Sequence, residues 1–180
     1  MAALGRDAHD GGCLALMHGP SKDPFAFGVL LFGMDDLTQA EADALLAMEK
    51  FCTATSEFDF PTTGMKLQVP LVSEDAEERF VLDVNRVGFK ISKVTFQNRT
   101  RSVIVLARLD IDGPPHTNPN GAELPCPHLH IYRAGHGDRW AFPLPPGVFS
   151  DVTKIRTTCD EFMKWVKIVV PPSFKPGLEI

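Results

Sequence analysis

No apolar run in this 180-residue chain approaches the roughly 20 residues that span a bilayer, so neither a transmembrane helix nor a membrane partner is expected. Cysteine is sparse and unpaired: Cys13, Cys52, Cys126 and Cys159 stand far apart, with no C-x-x-C among them. That spacing excludes a disulfide framework and points to reduced thiols in a cytoplasmic protein. A secretory signal is not indicated, because the one early apolar run, residues 25–32, comes late and has no small-residue cleavage site after it. There is no G-x-S-x-G, no P-loop and no dinucleotide fingerprint. No period of 20–50 residues repeats, which excludes a solenoid. The net charge of −5 gives no global pull toward DNA or an anionic membrane, so a nucleic-acid contact would need a local basic patch.

What the chain does have is a globular composition, with 44% apolar and 23% charged residues. Residues 1–33 are rich in glycine and lack a clean period, and are read as an N-terminal arm outside the core. A single domain is expected over 34–172, with a tail over 173–180. Thr38 and Glu41 have capping-box spacing, and Leu37, Ala40, Ala44, Leu45 and Met48 recur at helical intervals. Alternation then predicts strands over 65–71, 79–86, 89–99, 102–110, 128–133 and 139–144. Ser150 is the expected cap of a last helix striped by Val152, Ile155, Cys159, Phe162 and Val166, stopped by Pro171 and Pro172. The fold class is therefore α+β: an antiparallel sheet of about five to six strands flanked by an N-terminal and a C-terminal helix.

Four of the six histidines lie between His116 and His136. On a strand, residues two apart share a face at about 6–7 Å, so His128, His130 and Tyr132 should point one way, and Leu129 and Ile131 into the core. The turn-rich stretch from Asp112 to Leu124 would return the chain as a hairpin and bring His116 and Asn118 to that face. Three readings follow. In the first, His116, His128 and His130 are acid–base catalysts that cleave RNA without metal or cofactor. Imidazole suits both proton roles, and Arg108 and Arg133, with Asn118 and Tyr132, would bind the substrate. In the second, His128 and His130 chelate a metal, completed by His116, Cys126 or His136. In the third, the imidazoles only stiffen a proline-rich hairpin by hydrogen bonds. Asp110 and Asp112, at a strand end, could orient an imidazole, bind a divalent ion or cap a turn.

Charge adds a second clue. From Arg86 to Arg108 there are six basic residues and no acid, a local band able to steer a phosphate backbone. Gly135-His136-Gly137-Asp138 reads as a tight turn with His136 exposed at its tip.

The string RLDIDGPPHTNPNG…PCPHLHIYRAGHGDRWAFPLP, preceded by LTQAEADALLAMEK, resembles an uncharacterised bacterial family of unknown function, often carried on phage or other mobile elements. The similarity runs from about Leu37 to Pro172. In element order alone, the chain is also similar to small ribonuclease toxins. The resemblance implies a mobile-element setting, and with it a cognate antitoxin or a host defence protein as partner beside RNA. A non-enzymatic, anti-CRISPR-like inhibitor is the corresponding alternative, its acids at Asp35, Asp36, Glu41, Asp43 and Glu74–Glu78 mimicking phosphates.

Overall fold

A computed structural model describes residues 37–176 apart from residue 89. The expected arm over 1–33, the domain start at residue 34 and the last four residues of the tail lie outside the described residues. The chain is α+β, as expected, but its main sheet is larger. The elements in order are α1 (Gln39–Ala47), β1 (Lys50–Cys52), β2 (Lys66–Val72), β3 (Arg79–Asn85), β4 (Val94–Thr100), β5 (Ile104–Ile111), β6 (His116–Thr117), β7 (Glu123–Leu124), β8 (His128–Ile131), β9 (Ala141–Phe142), α2 (Ile155–Trp165) and β10 (Ile168–Val170). Eight strands form one sheet in the order β10-β1-β2-β3-β4-β5-β8-β9, and β6 and β7 form a separate hairpin. All pairings are antiparallel except β1 with β10. No helix among the described residues is long and apolar enough to cross a membrane.

The capping box forms as its spacing predicts: the Glu41 amide donates to Thr38 Oγ1 at 3.3 Å, and the Thr38 amide donates to Glu41 Oε2 at 2.8 Å. The second cap does not form. α2 begins at Ile155, and the Ser150 amide instead donates to the Glu161 carboxylate at 3.2 Å. The helix also stops at Trp165, well before the two prolines, because residues 168–170 leave it to pair with β1.

Alternation along the central strands gives the sheet two unlike faces. One face carries Val69, Leu82, Val84, Phe96, Leu109 and Leu129, all buried with residues of both helices in one core. Phe96 stacks on Phe162 of α2 with ring centroids 5.9 Å apart. Each such fully buried side chain contributes about 1.5–3 kcal/mol. The other face is polar, and the pairing register sets its rows. Gln68, Asp83, Gln97, Arg108 and His130 stand opposite one another across five strands, and Thr95, Asp110 and His128 form the next row. The second row and the end of the first make the site.

Candidate metal centre

The pairing of β5 with β8 sets Arg108 against His130 and Asp110 against His128. The H-x-H spacing on β8 then aims both imidazoles to the polar face, as the sequence predicts. The third ring arrives from the β6–β7 hairpin. Asn118 docks this hairpin on β9: its side-chain amide donates to the Ala141 carbonyl at 3.0 Å and accepts from the Ala141 amide at 2.8 Å. The three rings converge, with centroids 4.6 Å apart for His116 and His130, 4.9 Å for His128 and His130, and 5.7 Å for His116 and His128.

Each ring is pinned at one nitrogen by a main-chain carbonyl. His130 Nδ1 lies 2.8 Å from the Asp138 carbonyl, His128 Nδ1 3.2 Å from that of Pro125, and His116 Nε2 2.9 Å from that of Arg139. A carbonyl only accepts, so these nitrogens carry the protons. The tight turn after β8 makes the first of these contacts possible: Gly135 and Gly137 both adopt positive φ, +75° and +61°, and the turn returns Asp138 to the ring. His128 Nε2 and His130 Nε2 are thereby left facing one carboxylate oxygen, Asp110 Oδ2, at 3.7 and 3.3 Å. Ligand atoms on a tetrahedral ion with bonds of 2.0–2.1 Å stand about 3.3–3.4 Å apart. Among the described residues, Asp110, His128 and His130 are the group whose ligand atoms all lie within 4.8 Å of one another.

A guanidinium closes the hydrogen bonding at His130. Arg108 Nη2 lies 2.9 Å from His130 Nε2, and Arg108 Nε lies 3.1 Å from Asp110 Oδ2. With its proton on Nδ1, His130 accepts from Arg108 at Nε2, and the carboxylate accepts from Arg108 Nε. His128 Nε2 faces the same carboxylate oxygen at 3.7 Å, acceptor against acceptor. Burial alone would push the Asp110 carboxyl up; the adjoining His130, Arg108 and Thr95 outweigh it and hold the group well below the usual carboxylate range. Burial pushes His128 down from its ordinary value, which favours the neutral ring with a free lone pair.

A cleft of about 380 Å³ opens beside the cluster, lined by Lys93, Thr95, Arg108, Asp110, His116 and His128 among others. His116 is half-buried on its wall, whereas His128 is 3% and His130 0% exposed. Of the predicted site residues, His116, His128, His130 and Arg108 are therefore brought together. The other three are not. Tyr132 lies in the core, because β8 ends at Ile131 and the alternation ends with it; its hydroxyl donates to the Leu37 carbonyl at 2.9 Å. Arg133 lies over the Trp140 and Phe142 rings, at 5.5 and 5.2 Å from their centroids. Asn118 is occupied in docking the hairpin. Cys126 is no ligand either: its thiol accepts from the Gly113 amide and donates to the Asp110 carbonyl. His136 is exposed at its turn, as the sequence predicts. Lys93, Thr95 and Asp138 also belong to the site, and residue type alone does not single them out. The cross-strand register was the signal for Thr95, which donates to Asp110 Oδ1 at 2.8 Å.

The model of a family of unknown function (DUF6978) matches residues 37–168, so the chain belongs to that family. The match spans both the histidine hairpin and the sheet that supports it. No curated protein matches the chain, and no solved structure does.

Proposed function

We propose that Asp110, His128 and His130 hold a divalent transition-metal ion, and that the cleft beside them is the active site of a metal-dependent hydrolytic enzyme. One observation carries this reading: two imidazole lone pairs and a carboxylate oxygen converge on one point, where the Arg108 guanidinium serves His130 and Asp110 while His128 Nε2 faces the carboxylate, acceptor against acceptor. A cation bound by all three satisfies each of them. Two histidines and one carboxylate leave coordination positions free for water or substrate. An ion so held lowers the pKa of bound water and polarises an electrophile. The main-chain carbonyls behind His128 and His130 fix tautomer and ring orientation, as outer-sphere partners of ligating histidines do.

The acid–base reading on RNA draws less support. It asks His130 to exchange protons with a substrate, yet that ring exposes no surface. The structural reading accounts for the carbonyl contacts but leaves the crowded lone pairs unexplained.

The experiment is elemental analysis of protein purified without an affinity tag, followed by calorimetric titration of the stripped protein with Zn²⁺, Mn²⁺ and Co²⁺. One ion per chain is expected, with affinity lowered about 100-fold or more in Asp110→Asn and His128→Ala, and hydrolysis of an activated phosphodiester only in the loaded protein. Stripped wild-type protein that takes up none of these ions would overturn the reading. Metal-free protein that cleaves RNA, with cleavage lost in His116→Ala, would restore the acid–base alternative.

A further inference from the structure

We propose that Arg108 is a built-in competitor for the metal position and, once displaced, joins Lys93 as the receptor for a phosphate-class oxyanion in the cleft. This inference rests on the metal reading and adds the substrate class and its coupling to the ion.

The guanidinium occupies the two atoms that an ion would need. Arg108 Nε is 3.1 Å from Asp110 Oδ2 and Nη2 is 2.9 Å from His130 Nε2, while Nη1 pairs with Asp138. An ion that takes the lone pairs on Oδ2 and Nε2 removes two of these three partners and repels the guanidinium as well. Arg108 has room to move, since its side chain is 26% exposed and lines the cleft. Asp138 remains as its tether.

The charges make the cleft a conditional anion site. Without an ion, the positive charges of Lys93 and Arg108 are set against the carboxylates of Asp110 and Asp138, with Asp112, the partner of Lys90, also acting on Lys93. A divalent ion adds two positive charges to that balance. Lys93 lines the cleft and makes no direct ion pair among the described residues. Two mobile cations beside an ion with open positions suit a small, multiply charged oxygen ligand. A planar guanidinium matches phosphate with two parallel N–H donors. Ion and oxyanion should therefore bind cooperatively, each raising the other's affinity by the same factor.

The test is calorimetric titration of full-length protein with Co²⁺, and with inorganic phosphate at sub-millimolar concentration before and after Co²⁺ loading. In the wild type, phosphate should bind about tenfold or more tighter to the loaded protein, and Co²⁺ should gain equally when phosphate is present. Arg108→Gln should raise Co²⁺ affinity about tenfold and weaken the phosphate coupling, leaving the part that the ion itself supplies. Arg108→Lys is the second variant, in case the first fails to fold. One ammonium cannot hold both atoms, so it too should bind Co²⁺ more tightly. Lys93→Gln removes a charge but no competitor, and should shift Co²⁺ affinity by less than about threefold. Unchanged or weaker Co²⁺ binding in both Arg108 variants overturns the inference, as does phosphate binding indifferent to Co²⁺. In either case Co²⁺ binding itself leaves the metal centre standing. If no form binds Co²⁺, the metal centre falls, and this inference with it.

Discussion

Lys50 and His130 each expose none of their surface, yet their surroundings treat them in opposite ways. The Lys50 ammonium has three donors and meets three carbonyls, those of Leu46, Met48 and Val166, at 3.1, 2.8 and 2.9 Å. These carbonyls sit at the C-terminal ends of α1 and α2, where the helix dipoles favour a cation. The group also lies 4.7 Å over the Phe80 ring. Donors and acceptors match, and nothing further is called for. At His130 the Nε2 lone pair is met by a guanidinium that also serves Asp110, and His128 Nε2 faces that same carboxylate, acceptor against acceptor. A buried polar group matched by main-chain partners holds the fold together. A cluster of acceptors held by one displaceable side chain beside a cleft marks a place for a ligand.

The sharpest break in this comparison is Lys50→Met. It leaves three carbonyls without a donor at the junction of both helices and should cost about 3 kcal/mol of stability, read by denaturant unfolding. Metal affinity should stay the same. Loss of Co²⁺ binding in this variant would mean that the two centres are not independent. The next effect is smaller. Asn118→Ala removes two hydrogen bonds to Ala141 and should cost about 2 kcal/mol. Because the hairpin carries His116 and not the ligand group, Co²⁺ should still bind, with affinity changed by less than about threefold. The smallest effect per step is a pH slope, at most about 1.4 kcal/mol for each pH unit. Burial pushes the Lys50 ammonium down to about 8 from an ordinary 10.5. Below pH 8 both the folded and unfolded chains are protonated there, and the burial penalty is fully present. Between about 8 and 10.5 the unfolded chain holds the proton that the folded chain has released, so stability should rise with pH. Lys50→Met should lack that rise, and an identical slope in the variant would show that other groups produce it.

The parts of the fold that were legible in the sequence are those with enough residues to show a period. α1 announced itself by Thr38 and Glu41, and β2 to β5 by alternation over seven or eight residues. β1 and β10 have three residues each and pair in parallel across most of the chain length, so no local pattern marks them. The β6–β7 hairpin has two-residue strands hidden among Pro, Asn and Gly. The site was legible to the same extent. Alternation puts His128 and His130 on one face, and the Pro-, Asn- and Gly-rich stretch before them marks the chain reversal that brings His116 to them. The carbonyls that fix the rings belong to Pro125, Asp138 and Arg139, and backbone groups leave no trace in residue identity. Tyr132 departs from the expectation because β8 ends at Ile131, two residues short of the strand that alternation predicts over 128–133. Arg133 and Asn118 carry no mark of their partners, because a charge or an amide in a loop looks the same whether it meets a substrate, a ring or a strand.

The β5–β8 register makes the site intolerant of one kind of change and tolerant of another. Arg108 with His130 and Asp110 with His128 are partners only in this alignment. A single residue inserted within 104–111 or 128–131 would turn the downstream side chains to the opposite face, driving imidazoles into the core and leucines into the cleft. The hairpin tip at Pro119–Gly121 lies outside that alignment. Length variation among related chains should therefore gather at the tip and be absent from the two strands, a pattern that an alignment of the family can reveal.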